Sequence, residues 1–511
     1  MTEAFARVPE LAASHFLLAA AALALGLLIA LPLALWSARN ELVARVALGF
    51  AGLVQTIPSL ALLALFYPLL LSLSALVGGG IPALGFLPSL LALTLYAILP
   101  ILRNAVTGLT NLDPAVLEAA DGVGMTSSQK LWWVEVPLVA PVLMAGIRTA
   151  AVWTIGAATL STTVGQPSLG DLIFAGLQTQ NWSLVLAGCA AAAGLALATD
   201  ALLALVESGI ARRRRAPWIT GVVGIALAII AALGSMVDLG SERRTVIVGA
   251  KNFSEQFILA RLIGDRLAKA GYDVEYREGL GSSVAYRAVA AGDVDVYVEY
   301  AGTLWANQMQ RTDVPPPAQM LREIAAWTKQ TDGVVMVGAL GFENAYAFAM
   351  KAAVARAKGI ATLDDLARHA PGLRLGSDLE FLERPEWAAV RTRYGLRFAS
   401  ARAYNPSFMY RAIDSGDADV ISAFSSDGRI AAQKLMVLSD PRHAIPGYDA
   451  IMLSAPSPAG EPAFQAAIRP LVGAIGVEPM REANFMVDRD ADKASPDKAA
   501  RWLARSISLG R

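Results

Sequence analysis

The side chains best suited to covalent or acid–base chemistry are few in this chain and stand apart from one another. Its 511 residues hold three histidines, His15, His369 and His443, and one cysteine, Cys189, inside an apolar run. No HExxH, CxxC or histidine cluster gathers metal-ligand types, and a single cysteine excludes a disulfide framework. The glycine segments nearest to a phosphate loop are Gly122-Val123-Gly124 and Gly279-Leu280-Gly281-Ser282-Ser283. Neither continues into GxxxxGK[ST] or GxGxxG, the spacings whose backbone amides cradle phosphates. The reading is of no enzyme, no catalytic residue, no metal and no cofactor. Aromatic and polar side chains suited to holding a small solute remain, and the elements that carry them decide what they can do.

Charge divides the chain. It balances 43 Lys+Arg against 43 Asp+Glu, and a neutral total without a basic stripe argues against nucleic acid as a partner. Of those 86 charges, 16 fall in residues 1–211 and 65 in residues 239–511. The first part suits lipid and the second suits water. Six apolar runs, near 14–36, 47–76, 86–108, 138–162, 183–206 and 218–238, are each long enough to cross a bilayer, which takes roughly 20 residues. Gly49, Gly52 and Pro58 predict a kink or break in the second, and the first reads as a retained span rather than a cleaved signal. Arg39 and Arg45, Lys130 (in the loop close to Arg103) and the basic run at 212–215 fall in alternate loops. The positive-inside rule places those loops in the cytoplasm. By parity, everything after the sixth run lies outside an inner, multi-pass membrane location. Arg148, near the start of the fourth run, reads as snorkelling to the boundary, with pairing along a pore as the alternative.

The polar loop after the third run contains Glu118-Ala119-Ala120-Asp121-Gly122-Val123-Gly124 and then Val134-Glu135-Val136-Pro137. Helix-forming Glu-Ala-Ala, a glycine stop and a second helix closed by proline predict a short helix–turn–helix on the membrane face. The spacing EAA-x3-G-x9-V-x-V-P resembles the coupling loop of ABC importer permeases, with Val134 and Val136 in place of the usual Ile and Leu. Gln55-Thr56-Ile57-Pro58, Leu99-Pro100-Ile101-Leu102-Arg103-Asn104 and Ala145-Gly146-Ile147-Arg148-Thr149-Ala150 are similar to permeases of the quaternary-amine (osmoprotectant) uptake family. That resemblance implies a separate ATPase docking at Glu118, Ala119, Ala120, Gly124 and Pro137.

From residue 245 the pattern alternates strand and helix in two halves, which predicts two α/β lobes around a cleft. The expected organisation is a permease domain at 1–211, a basic anchor with a final linking span at 212–244, and a binding domain at 245–511. Lobe 1 is expected at about 245–340 and 446–511, lobe 2 at about 341–445, with hinges near 340–343 and 440–446. Here too the blocks resemble the same family. Lys251-Asn252-Phe253-Ser254-Glu255-Gln256 is similar to its KNFTEQ segment, and Asn344-Ala345-Tyr346-Ala347 to NTYA. Phe424-Ser425-Ser426-Asp427-Gly428-Arg429-Ile430 is similar to YSTDGRI, and Gly281-Ser282-Ser283-Val284 and residues 292–303 match two further blocks. The fold implied is an all-α polytopic membrane domain of the type I importer kind, with about six spans. It is followed by a two-lobed periplasmic-binding-protein domain of type II.

The resemblance implies a quaternary ammonium ligand, a diffuse charge without an N–H, which aromatic faces hold best. It carries cage positions onto Tyr300, Tyr346 and Phe424, the phenylalanine being a departure that keeps a π face and loses a hydroxyl. Tyr404 is a further aromatic candidate. Gln256, Ser282, Ser283 and Thr303 are expected polar contacts. Asn344 and Asp427 would orient the cage or bind a polar ligand group, and Arg384 would meet a carboxylate. Against each stands a structural reading: a core tyrosine, a helix cap for Ser283, an internal salt bridge for Arg384 or Asp427. The function implied is one subunit of an ATP-driven importer, working as a homodimer with two ATPases. Its solute would be glycine betaine, choline, carnitine or an ergothioneine-like betaine. The alternative is a membrane receptor that senses a ligand through the same ectodomain.

Overall fold

Apolar segments with no water to solvate their backbone must close their hydrogen bonds internally, and the N-terminal half does so as helices. The computed structural model describes residues 8–78, 81–178, 181–236, 244–404, 406–489 and 492–507. It divides into two units, Met1–Phe174 with Ser183–Gly240, and Ala175–Trp182 with Ser241–Arg511.

In the first unit, five helices among the described residues are long and apolar enough to cross a membrane. Helices α1 (Val8–Arg39), α2 (Glu41–Thr56), α3 (Ser59–Leu76) and α4 (Phe86–Thr110) open the chain. The expected second run is a corner: α2 and α3 meet at 102°. Pro58 is the cause, since Ile57 before it is held extended at φ −74° and ψ 126°. Tyr96 of α4 donates its hydroxyl to the carbonyl of Ile57, and the Gln55 amide donates to the Tyr96 carbonyl at 3.3 Å. The broken turn therefore keeps its polar groups satisfied. His15 is structural, bonded through Nε2 to the Ile155 carbonyl at 2.8 Å while Nδ1 accepts from Leu169 N–H.

The polar loop forms α5 (Pro114–Gly122), capped by Asp113, whose carboxylate accepts from Ala115 N–H at 2.9 Å. Gly124 turns the chain at φ +80°, a left-handed conformation that costs other residues about 1–2 kcal/mol. Lys130 Nζ then closes on Asp121 at 2.7 Å. The second helix is not closed by Pro137. A short helix at Ser127–Lys130 passes through a π-turn at Leu131–Glu135 into α6 (Val136–Ala158). There the Val136 N–H reaches back to the Leu131 carbonyl, five residues away. The π-turn shifts the hydrogen-bond register immediately before Pro137, which has no N–H to give.

Helix α6 approaches α4 so closely that a Cβ on Gly146 would lie 2.7 Å from both Asn104 Cβ and the Pro100 carbonyl. Two residues on, Arg148 does not snorkel. Its guanidinium binds Asp200 through two bonds of 2.8 and 2.7 Å and Glu207 through one of 2.7 Å. Both carboxylates lie on α7 (Trp182–Ala211), two turns apart on one face. Pairing is the cheaper solution for charges inside an apolar segment. Helix α8 (Arg215–Met236) ends the unit.

The second unit carries two five-stranded sheets. The first has the order β2-β1-β3-β10-β4, from β1 (Thr245–Lys251), β2 (Asp273–Leu280), β3 (Val296–Tyr300), β4 (Val335–Glu343) and β10 (Asp449–Ser454). The second has the order β7-β6-β8-β5-β9. Its strands are β5 (Tyr346–Lys351), β6 (Arg374–Asp378), β7 (Ser400–Tyr404), β8 (Val420–Phe424) and β9 (Leu435–Val437). Parallel pairs join β1 to β2 and β3, and β6 to β7 and β8, while β10 runs antiparallel to β3 and β4. The chain leaves the first sheet between β4 and β5 and returns between β9 and β10. The two crossings are tied where Asn344 N–H donates to the Tyr448 carbonyl at 3.0 Å.

Candidate functional site

In open α/β sheets the strand ends, where backbone polar groups and loop side chains converge, line the crevice. The two sheets of the second unit put β1, β3, β6, β7 and β8 ends around one cavity of about 610 Å³. Strand β3 ends in Tyr300, and β5 begins with Tyr346, which pairs directly with Phe424 at the end of β8. Asp378 and Tyr404 end β6 and β7, and they too are paired. Sheet register thus brings together Tyr346 and Phe424, 78 residues apart in sequence.

Of the residues expected from sequence, Ser282, Tyr300, Thr303, Asn344, Tyr346, Arg384, Tyr404, Phe424 and Asp427 line the cavity. Gln256 stands behind it. It is buried, accepts from Lys251 N–H, and donates to the Tyr300 hydroxyl at 3.0 Å, so it positions the ring. The side chain of Ser283 lies outside the described residues. Tyr346 is the centre of an aromatic cluster. Its ring stacks on Phe381 at 4.5 Å, tilts against Phe424 at 5.0 Å, and meets the edge of Tyr448 at 5.7 Å. The Arg384 guanidinium lies 5.3 Å from the Tyr346 ring centre, already a cation on that face.

The expected charged contacts are engaged within the protein. Arg384 is buried and pairs with Glu380 and Glu386, and Tyr448 donates its hydroxyl to Glu386. Asp427 holds Arg429 in a fork, with Nη2 at 2.6 Å and Nε at 3.0 Å. Ser282 donates to Glu380 at 3.3 Å, a contact from α10 (Ser282–Ala291) to α11 (Leu379–Glu383).

Sequence reasoning missed the carboxylate that anchors the site. Glu255, in the first turn of α9 (Ser254–Lys269), is 3% exposed. It accepts from the Tyr300 hydroxyl at 2.6 Å, from Asn344 at 3.1 Å and from Asn484 at 2.8 Å. All of these donors are neutral. Burial holds its pKa above the usual carboxylate range, against the pull of those bonds. Lys251 beside it is engaged with Glu299, and its ammonium stands 5.1 Å from the Tyr300 ring centre. Burial also pushes Asp378 up to about 6, and Asp488 on the cavity wall up to about 6 against the opposing charge of Arg429. Lys251 and Glu255 lie inside the quoted 251–256 block and were legible as neighbours of nominated residues. Tyr448 and Asn484 carry no local signal; only the return crossing and α12 (Val477–Asp488) bring them in.

A cavity with aromatic walls, buried carboxylates and internally paired arginines can hold a small organic cation or zwitterion. Residues 244–505 match the family described as the substrate binding domain of an ABC-type glycine betaine transport system. Residues 22–212 match the binding-protein-dependent transport system inner membrane component. The chain is 27% identical, over 90% of its length and 83% of the relative's, to the ergothioneine transport permease/ergothioneine binding protein of Helicobacter pylori (strain G27). It is 38% identical to the glycine betaine/carnitine/choline transport system permease protein of Bacillus subtilis (strain 168), over 38% of this chain and 83% of that one. A crystal structure of a glycine betaine/carnitine/choline ABC transporter covers 52% of this chain and all of its own, with 25% identity and a TM-score of 0.46.

Proposed function

This chain belongs to the ABC-type importers of the glycine betaine transport family, with inner-membrane component and substrate-binding domain fused in one polypeptide, and we propose that it captures a quaternary amine outside the cytoplasmic membrane and conducts it inward. Residues 1–211 form the permease, 212–244 the link, and 245–511 the extracytoplasmic binding domain, whose lobes are 245–340 with 446–511, and 341–445. The solute's cationic head is held by Tyr300, Tyr346, Tyr404 and Phe424, and its polar end by Ser282, Ser283, Thr303, Asn344, Arg384 and Asp427, with Gln256 positioning Tyr300. The observation that carries this reading is the Tyr346 cluster beside buried carboxylates in one cavity. Aromatic faces each add about 0.5–2 kcal/mol to the binding of a desolvated cation.

Nothing in this chain's own motifs hydrolyses ATP, so the energy comes from separate ATPase subunits. They dock at the loop bearing Glu118, Ala119, Ala120, Gly124 and Pro137. Its exposed Val123, Trp132 and Trp133 offer the apolar surface that a protein partner buries. One chain supplies half a pore, and the working unit is a homodimer with two ATPases. Ligand closes the lobes by bending at the tied crossings near Asn344 and Tyr448. The test is ATP-dependent uptake in proteoliposomes holding the full chain and its ATPase, across glycine betaine, choline, carnitine and ergothioneine. Uptake of one or more of them is expected; uptake of sugars or metal ions with none of these would reject the assignment.

A further inference from the structure

The charges around the cavity do not cancel. Among the described residues five carboxylates line it, Glu255, Asp378, Glu380, Asp427 and Asp488, against three cations, Lys251, Arg384 and Arg429. Each cation is already committed. Lys251 is 4% exposed and pairs with the buried Glu299. Arg384 is 6% exposed and pairs through Nη2 with Glu380 and through Nη1 with the buried Glu386 at 3.4 Å. Glu386 therefore keeps Arg384 paired even if the more exposed Glu380 turns away. Arg429 binds Asp427 at 2.6 Å and lies 3.9 Å from Asp488. Lys251 and Arg384 stand beside the Tyr300 and Tyr346 rings, and their pairing is what leaves those rings to a cationic solute.

Two of the carboxylates form no ion pair among the described residues. Glu255 accepts from the neutral Tyr300, Asn344 and Asn484, and Asp378 accepts from Phe381 N–H at 2.8 Å. Burial raises Asp378 and Asp488 only to about 6, so both are ionised at pH 7.5. Burial lifts the Glu255 carboxyl as well, and with Glu255 uncharged the lining still holds more carboxylates than cations. Charges lining a cleft with low-dielectric walls are screened less than surface charges. They act on a solute across several ångströms without touching it.

A quaternary ammonium supplies the counter-charge this lining lacks. A carboxylate tail adds a further anion and finds no unpaired cation to receive it. It would have to draw Arg384 or Arg429 off an internal carboxylate, which is then left buried and uncompensated. A hydroxyl or amide tail makes no such demand and can bond the same groups.

Building on the quaternary-amine reading above, we infer that this site selects quaternary ammonium solutes whose other end is uncharged, the choline class, over zwitterionic betaines, and that the carboxylate excess of the cavity lining is what discriminates.

The test uses the full chain in lipid nanodiscs and solutes paired so that the tail charge is the main difference, titrated to equilibrium at pH 7.5. Glycine betaine is compared with its carboxamide and with choline, and carnitine with its carboxamide. The member with the uncharged tail should bind at least about tenfold tighter in each pair that binds, which corresponds to about 1.4 kcal/mol. Asp378→Asn and Asp488→Asn each remove one carboxylate at nearly constant shape, and that preference should fall at least about threefold in one or both. A preference below tenfold in any pair that binds overturns this inference and leaves the quaternary-amine reading standing. Failure of all five solutes to bind overturns both. A preference undiminished in both folded variants overturns the carboxylate excess as its cause.

Discussion

Removing the Tyr346 ring should weaken binding of a cationic solute at least tenfold. The ring is 7% exposed and packs against Phe381 at 4.5 Å and Phe424 at 5.0 Å. Tyr346→Ala deletes one aromatic face, about 0.5–2 kcal/mol for a desolvated cation, together with the apolar contact beneath the solute's methyl groups. Near 1.4 kcal/mol per decade, the sum reaches tenfold. The same change removes three aromatic pairs, with Phe381, Phe424 and Tyr448, of about 0.5–1.5 kcal/mol each, so the melting temperature should fall by several degrees. Tyr346→Phe keeps the ring and should stay within about threefold in affinity, since the π face carries the interaction. Charge is separated from bulk by titrating choline beside 3,3-dimethylbutan-1-ol, its neutral carbon isostere, into the full chain in nanodiscs. Cation–π binding requires that Tyr346→Ala hurt choline more than the isostere. Equal losses would reduce the ring to a space-filling role, and unaltered choline affinity in a folded variant would remove Tyr346 from the cage.

Three further outcomes follow from other parts of the molecule. Gly124→Leu places a branched residue at φ +80°, a strain of about 1–2 kcal/mol, in the loop proposed to meet the ATPase; solute-stimulated ATP hydrolysis should fall while solute binding persists, and unchanged hydrolysis would dissociate this turn from coupling. Arg148→Ala leaves Asp200 and Glu207 without their cation, and the half-truncated network should melt below both wild type and the triple change Arg148→Ala, Asp200→Asn, Glu207→Gln, because an uncompensated charge is costlier than a neutral set; a single variant as stable as the triple would show the network to be idle. Asp378 and Asp488 carry pKa values raised to about 6, so they are carboxylates at pH 7.5 and become neutral as the pH falls through 6. Choline affinity should therefore be flat above pH 7 and drop between pH 7 and 5, with a smaller drop in Asp378→Asn; affinity that rises on acidification would contradict that sign.

Much of this architecture was legible because its signals are local. A membrane span is announced by twenty apolar residues in a row, and a helical turn by a glycine at the right offset, as with Gly124. The α/β alternation from Thr245 and the blocks around Lys251, Tyr300, Tyr346 and Phe424 likewise need only near neighbours in the chain. Other features depend on pairing across distance. Arg148 could not be told from a snorkelling arginine until α7 set Asp200 and Glu207 beside it. Pro137 reads as a helix stop, yet a π-turn absorbs it at the start of α6. Gln256 is typed as a ligand contact but spends its amide on Tyr300. Arg384 and Asp427 likewise find partners inside the protein.

Composition and periodicity by themselves determined a lipid-embedded half, a water-soluble half and the order in which they come, because the free energy of transfer depends on residue type and spacing alone. Only the tertiary structure decided which polar atoms are answered and which are not. Glu255 meets Tyr300, Asn344 and Asn484 across 45, 89 and 229 residues of chain. A hydrogen bond requires its partners within about 3 Å in a fixed direction, and that is a property of packed elements, not of their sequence.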